Sequence, residues 1–173
     1  TILLTGCNGF LGKRLLAVLT EIINDLAARN ISINHHIYAI DNGITSSGSG
    51  PKGIKYISYY DSNAINFNYS ELKSIDYVIH MAGLASPAQY KRFPLETIDV
   101  AVGLSRTLLD HSIKWRSKFV FFSSSEIYGN PDPSNIPTKA HYKGFVGTLG
   151  PRACYGESKR LGETLCYVYS NYY

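Results

Sequence analysis

Ile2-Leu3-Leu4-Thr5-Gly6-Cys7-Asn8-Gly9-Phe10-Leu11-Gly12, almost at the first residue, is the stretch on which the fold turns. Residues 2–5 are a short apolar run of strand type. Residues 11–28 carry apolar side chains at Leu11, Leu15, Leu19, Ile22, Ile23 and Leu26, a helical period. Three glycines lie between or beside them. Gly6 permits a tight turn, Gly9 lets backbone approach a pyrophosphate, and Gly12 lets helix and strand pack closely. The helix N-terminus adds free N–H groups and the positive end of a dipole. A glycine triplet alone is weak evidence; a strand before it and a helix after it supply the confirming context.

Outward from this loop the same alternation continues. Strand-like runs occupy 37–40, ending at Asp41; 54–58, ending before Asp61; 77–81; and 119–122. Leu95, Ile98, Val102 and Leu109 mark one face of a helix over about 95–112. A last helix starts near Arg152, with Leu161, Leu165, Val168 and Tyr172 on one side. Strands alternating with helices predict an α/β fold, a doubly wound parallel sheet. The Gly/Ser-rich segment 43–53 is expected to be a mobile loop, and 130–150, rich in Pro, Gly and Lys, an irregular excursion. The chain stops within or just after the last helix, an unnatural end for such a domain.

Bulk composition narrows the function classes. A length of 173 residues suits one domain with a substantial core. The net charge of +4 comes from scattered lysines and arginines, and without a basic stripe no nucleic-acid partner is expected. Cys7, Cys154 and Cys166 are an odd count without metal-ligand spacing, so they read as reduced thiols in a cytoplasmic setting. His35, His36 and His141 also lack metal spacing, and no metal is expected. With no long apolar run and no basic leader, neither a membrane span nor a signal peptide is expected.

Chemistry-bearing residues cluster late in the chain. Tyr155 and Lys159 stand one helical turn apart and share a face. A free tyrosine has a pKa near 10 and is a poor base at neutral pH. A close ammonium favours the phenolate and tunes it for general-base work. Tyr69 and Lys73 repeat the spacing, but only Tyr155 follows a Ser-rich strand end, so Tyr69 is set aside. Ser124 can hold a reacting hydroxyl, or simply cap a turn. Glu126 follows an apolar strand, at the carboxyl edge where such sheets bind ligands. Asp41 closes the second strand, where it can hold the adenosine ribose hydroxyls or merely form the turn into Asn42-Gly43. Nothing near Cys7 suggests an activated thiolate.

These residues resemble the extended short-chain dehydrogenase/reductase family, and within it the nucleotide-sugar epimerases and dehydratases. TGCNGFLG (5–12) is similar to that family's glycine motif, and His80-Met81-Ala82-Gly83 to its fourth-strand motif. ASPAQY (85–90), SSSEIYG (123–129) and GPRACYGESKRLGETLCYVY (150–169) resemble the UDP-glucuronate decarboxylases. The resemblance implies a Rossmann-type domain, the N-terminal portion of a larger enzyme whose substrate-binding part lies outside the chain. It implies NAD contacts from Gly6, Asn8, Gly9, Phe10 and Leu11; from Asp41, Asn42, Asp61 and Ser62; and from Met81, Ala82, Gly83, Tyr155 and Lys159. Ser124, Tyr155 and Lys159 match the family triad. Ser125 and Glu126 match the decarboxylase pair, where 4,6-dehydratases carry Asp-Glu. Ser86 and Tyr90 match positions near the sugar. The helix at Asp99–Gly103 departs from the family, lacking its asparagine before the glycine. The implied activity is C4 oxidation of a nucleotide-linked uronic acid, loss of carbon dioxide and reduction of the ketone, in a homodimer. A 4,6-dehydratase or 4-epimerase is the nearest alternative, and a non-catalytic NAD-binding module an alternative of another class.

Overall fold

The computed structural model describes residues 1–31, 34–46 and 50–173. One sheet carries five strands in the order β3-β2-β1-β4-β5. They are β1 (Ile2–Thr5), β2 (Ile37–Asp41), β3 (Ile57–Asp61), β4 (Tyr77–His80) and β5 (Lys118–Phe121). β1 pairs in parallel with both β2 and β4, and β2 with β3. The helices are α1 (Phe10–Ala28), α2 (Pro87–Arg92), α3 (Pro94–Ile98), α4 (Ser105–Trp115) and α5 (Ala153–Tyr172), with a π-helical segment, Asp99–Leu104, between α3 and α4. The fold is the parallel α/β class that the alternating pattern predicts. The chain divides into two compact units, Thr1–Ala82 with Leu108–Val120, and Gly83–Thr107 with Phe121–Tyr173.

In the first unit β1 is sealed on both faces: Leu3 and Leu4 are wholly buried. Such two-sided burial is what parallel strands covered by helices require. One core joins Leu4, Cys7, Ile37 and Ala39 to Leu16 and Ile23 of α1. Fully burying an aliphatic side chain of this size contributes roughly 1.5–3 kcal/mol. The helix α1 ends where Asn30 takes a left-handed φ of 57°. The Asn30 N–H then bonds to the carbonyl of Ala27, and that of Ile31 to Leu26. These two bonds satisfy carbonyls that the helix end leaves open. The order 3-2-1-4-5 reverses at β1, so the carboxyl ends of β1 and β4 flank the switch point where such sheets bind ligands.

The third strand lies three residues later than its apolar pattern suggests. Ile54 sits in a turn, accepting from the Ile57 N–H at 3.0 Å, and Asp61 is the strand's last residue, paired with Asp41. As the edge strand, β3 is nowhere fully buried, so its periodicity carries little information. Residues 47–49 of the Gly/Ser-rich segment lie outside the described residues.

Within the second unit, α3 and the π-helical segment pack against α5, and α2 against α3. Their buried faces differ from the ones the apolar spacing picks out. Leu95 is 71% exposed and Leu161 47%, while Thr97, Ala101, Leu104 and Ser105 are buried. The hydroxyl of Thr97 donates to the Phe93 carbonyl, and that of Ser105 to Ala101, each at 2.7 Å. Hydroxyls satisfied on the preceding turn lose most of their burial cost, so small polar residues can take the packed face. On α5 the buried residues are Tyr155, Gly156, Ser158, Lys159 and Gly162.

Candidate functional site

In the first unit the β1–α1 loop is shaped by its glycines. Gly6 has a φ of +78°, and a Cβ there would lie 2.5 Å from the Ala82 nitrogen. A Cβ on Gly12 would lie 2.1 Å from the Gly6 carbonyl oxygen. Gly9 is the N-cap of α1, and no side chain among the described residues caps it. Phe10 is 80% exposed and Leu11 52%, so the first turn of α1 stands at the surface. These are the features a pyrophosphate needs: close backbone approach, free donors and a positive dipole end. The residues therefore fit a dinucleotide cofactor.

Asp41, at the end of β2, both forms a turn and grips this loop. One carboxylate oxygen accepts from the Gly43 N–H at 2.7 Å, the other from the Asn8 N–H at 2.9 Å. The Gly43 bond is the geometric counterpart of the turn-forming reading of Asp41, and the Asn8 bond ties the end of β2 to the loop. Its neighbour Asn42 accepts from the Ile44 N–H at 3.2 Å, and the Ser62 N–H donates to the Asp41 carbonyl at 3.0 Å. Asp61 is exposed at the end of β3, and half-buried Met81 and Ala82 follow β4. Cys7 is wholly buried; burial first, then the charge of Asp41, pushes its thiol up to about 12, so it stays protonated. The sequence offered no signal for Tyr59, whose hydroxyl accepts from the Asn8 side-chain amide at 2.9 Å.

The second unit assembles the late motifs. Lys159 and Tyr155, on the packed face of α5, are 6% exposed each. Burial lowers the Lys159 ammonium from 10.5 to about 8, and it donates to the Phe122 carbonyl at 2.6 Å. It lies 4.7 Å from the Phe121 ring centre and 6.0 Å from that of Tyr155. Gly83 approaches it too: a Cβ there would be 3.7 Å from Nζ. Tyr155 stacks on Tyr90 of α2 at 5.2 Å between ring centres and 12° between planes. Tyr69, the rival of the same spacing, is buried, with its hydroxyl donated to the Ala64 carbonyl at 2.7 Å. Lys73 is in no helix, so that pair shares no helical face.

After β5, residues Ser125–Tyr128 form a 3₁₀ turn capped by Ser124, whose hydroxyl accepts from the Glu126 N–H at 3.3 Å. This turn packs on α5: a Cβ on Gly156 would be 3.6 Å from the Glu126 carbonyl oxygen. The Glu126 carboxylate pairs with both Nε and an Nη of Arg152, the Nε contact being 3.1 Å. Hydrogen bonding to Glu126, then its charge, holds the Arg152 guanidinium above its ordinary value. Arg152 carries a functional-looking contact that the sequence did not flag, although it stands in the quoted GPRACY motif. Ser125 and Ser86 are exposed, and Ser86 is the N-cap of α2. The second unit can thus supply a buried phenol, an ammonium and a charge-paired carboxylate.

Comparison with known proteins places these features. The NAD dependent epimerase/dehydratase family matches residues 2–173. Over 170 residues, 97% of the chain, identity is 31% to UDP-glucuronic acid decarboxylase 1 of Xenopus tropicalis and 32% to UDP-glucuronic acid decarboxylase 5 of Arabidopsis thaliana. The chain spans 37% and 46% of those two proteins. Among solved structures, the UDP-glucose 4-epimerase of Thermotoga maritima, with UDP-glucose, superposes with a TM-score of 0.71 at 25% identity, over 99% of this chain and 52% of that one.

Proposed function

The chain belongs to the NAD dependent epimerase/dehydratase family, with NAD as its cofactor, and from that premise we propose that it supplies the cofactor half of an enzyme decarboxylating a UDP-linked glucuronic acid. The observation that carries the reading is Ser125 beside Glu126 on the turn after β5, in a chain similar over nearly its whole length to two UDP-glucuronic acid decarboxylases. A 4,6-dehydratase must take a proton at C5 and give one to the leaving hydroxyl, work for an Asp-Glu pair that serine fills poorly. The second reading is a 4-epimerase, favoured by the superposition on the Thermotoga enzyme.

NAD, when bound, would supply the reversible hydride acceptor for C4 of the sugar. Tyr155 removes the C4 hydroxyl proton, and Ser124 holds that hydroxyl in line. Lys159, an ammonium below about pH 8, steadies the Tyr155 phenolate that accepts this proton. The C4 ketone is the electron sink into which the C5–carboxylate bond breaks, releasing carbon dioxide and leaving an enolate that takes a proton from water at C5 to restore the ketone. Ser125 and Glu126 orient the carboxylate-bearing side of the ring, and Ser86 and Tyr90 its remaining hydroxyls. Reversal at Tyr155 reprotonates the C4 oxygen. Asp41 holds the adenosine ribose of NAD with Asn42, Asp61 and Ser62 alongside, and Met81, Ala82 and Gly83 border the cofactor.

The protein acts as a homodimer in the cytoplasm. Exposed Leu161 stands in a groove of about 540 Å³ lined by Ile98, Val102, Ala153 and Cys154 with Glu157 and Arg160, a mixed apolar and charged face suited to a second copy. All three cysteines are free, which suits a reducing setting. Among the described residues no helix is long and apolar enough to cross a membrane.

The test is mass spectrometry of the product formed from UDP-glucuronate and NAD by the whole protein. Loss of carbon dioxide is expected. Loss of water from a neutral nucleotide-hexose with uronate untouched, or a product of unchanged mass, would replace the decarboxylase with the dehydratase or the epimerase.

A further inference from the structure

We propose that Tyr59 is a positioning residue for the cofactor loop, holding it through Asn8 in the shape that receives the pyrophosphate of NAD. The inference rests on the reading of Gly6–Gly12 as the pyrophosphate cradle. Asn8 stands at the middle of that loop, is 3% exposed, and is tied twice. Its backbone N–H donates to Asp41 and its side-chain amide to the Tyr59 hydroxyl, both at 2.9 Å. The loop's backbone is held at its ends by the Gly6 N–H to Ile40 carbonyl bond at 2.9 Å and the Lys13 N–H to Gly9 carbonyl bond at 3.0 Å, with a longer Gly9 N–H to Gly6 carbonyl bond at 3.2 Å between them, and the two tethers on Asn8 add to these.

Tyr59 is suited to the task because its ring is held from two sides. The half-buried ring packs against the core that includes Cys7, Leu16 and Ala39. On another side the backbone of Gly50 closes over it: a Cβ at Gly50 would lie 2.2 Å from the ring's Cζ. Burial raises the phenol's pKa, with the nearby Asp61 adding to the shift and the Asn8 bond opposing it, so the hydroxyl stays neutral and free to accept from the amide. Gly50 thereby acquires a role: it seats the tyrosine that seats the loop.

A loop released from one tether spends part of its time in shapes that do not bind, and apparent affinity falls by the fraction lost. One net hydrogen bond sets the scale at roughly two- to tenfold. Calorimetric titration of the whole protein with NAD should therefore give a Kd weaker by that factor for Tyr59→Phe. Because the two groups act through one bond, Tyr59→Phe added to Asn8→Ala should weaken binding no further than Asn8→Ala alone. Gly50→Ala, which forces the ring aside, should weaken NAD in the same direction and provides a second approach should Tyr59→Phe fold poorly.

The control is Tyr56→Phe. That hydroxyl braces α1 instead, donating to the Asn24 side chain at 2.9 Å and to the Thr20 carbonyl at 3.5 Å. It should lower the melting temperature and leave the Kd for NAD unchanged. Wild-type affinity in Tyr59→Phe, additive losses in the double variant, or an equal loss in Tyr56→Phe would each overturn the assignment. Gly9→Val separates this failure from that of the cradle. If it abolishes NAD binding while Tyr59→Phe is silent, only the role of Tyr59 falls; if it leaves binding intact, the cradle falls as well.

Discussion

Replacing Lys159 by methionine should make the protein more stable at neutral pH while removing its activity. Methionine matches the length of the lysine stem without the charge. Burial lowers the Lys159 ammonium from 10.5 to about 8, and the group is almost wholly enclosed. That lowering corresponds to a cost of roughly 3 kcal/mol for keeping the charged form in the folded protein. Below pH 8 folded and unfolded chains both hold the proton, and the cost is present in full. Between about 8 and 10.5 the folded protein has released a proton that the unfolded chain still binds, so stability rises with pH and the cost fades. Against this stands the bond from Nζ to the Phe122 carbonyl, worth about 1 kcal/mol. Lys159→Met should then gain about 2 kcal/mol at pH 7, and the gain should vanish or reverse by pH 10. Urea unfolding of both proteins across that range measures it. A variant no more stable than wild type at pH 7, or a difference that does not change with pH, would refute the reasoning. An ion kept buried at such cost is what a site retained for chemistry rather than stability looks like.

The remaining expectations are simpler. Tyr155→Phe should keep NAD binding and lower turnover by roughly 10²- to 10⁴-fold, whereas Tyr69→Phe, which strips the bond to the Ala64 carbonyl, should lower stability by about 1 kcal/mol and leave turnover alone. Titration with both cofactors should favour NAD over NADP, and Asp41→Ala should narrow the gap; equal affinities in the wild type would remove Asp41 from the ribose. Light scattering of the whole protein in the micromolar range should report a dimer, and Leu161→Glu on the exposed side of α5 should shift it toward monomer.

How much of this was legible beforehand follows from what kind of signal each residue gives. The β1–loop–α1 unit could be read within a residue because strand, glycines and helix punctuate one another locally. Tyr155 and Lys159 were separable from Tyr69 and Lys73 by order along the chain, and the structure gives only the first pair a shared helical face. The third strand was displaced because an edge strand with no buried residue has no periodicity to read. The packed faces of α3 and α5 are legible only in part, for a different reason. Thr97 and Ser105 hide their hydroxyls on the preceding turn, and Gly162 admits the Phe121 ring, whose Cζ would lie 2.4 Å from an added Cβ. Small and polar residues thus share the interior with Leu104, while Leu95 and Leu161 stand exposed. Tyr59 and Arg152 could not be found from sequence, since their partners Asn8 and Glu126 lie 51 and 26 residues away and meet only in the folded chain.

The central claim is that the Ser124, Tyr155 and Lys159 set works with one NAD that takes and returns the same hydride at C4 of the sugar. A single turnover of the whole protein with UDP-glucuronate deuterated at C4 tests it most directly. The decarboxylated product should keep its deuterium at C4, with no deuterium in the solvent, and Tyr155→Phe should slow its formation by roughly 10²- to 10⁴-fold. Loss of the C4 deuterium to water, or decarboxylation that proceeds undiminished in Tyr155→Phe, would contradict it.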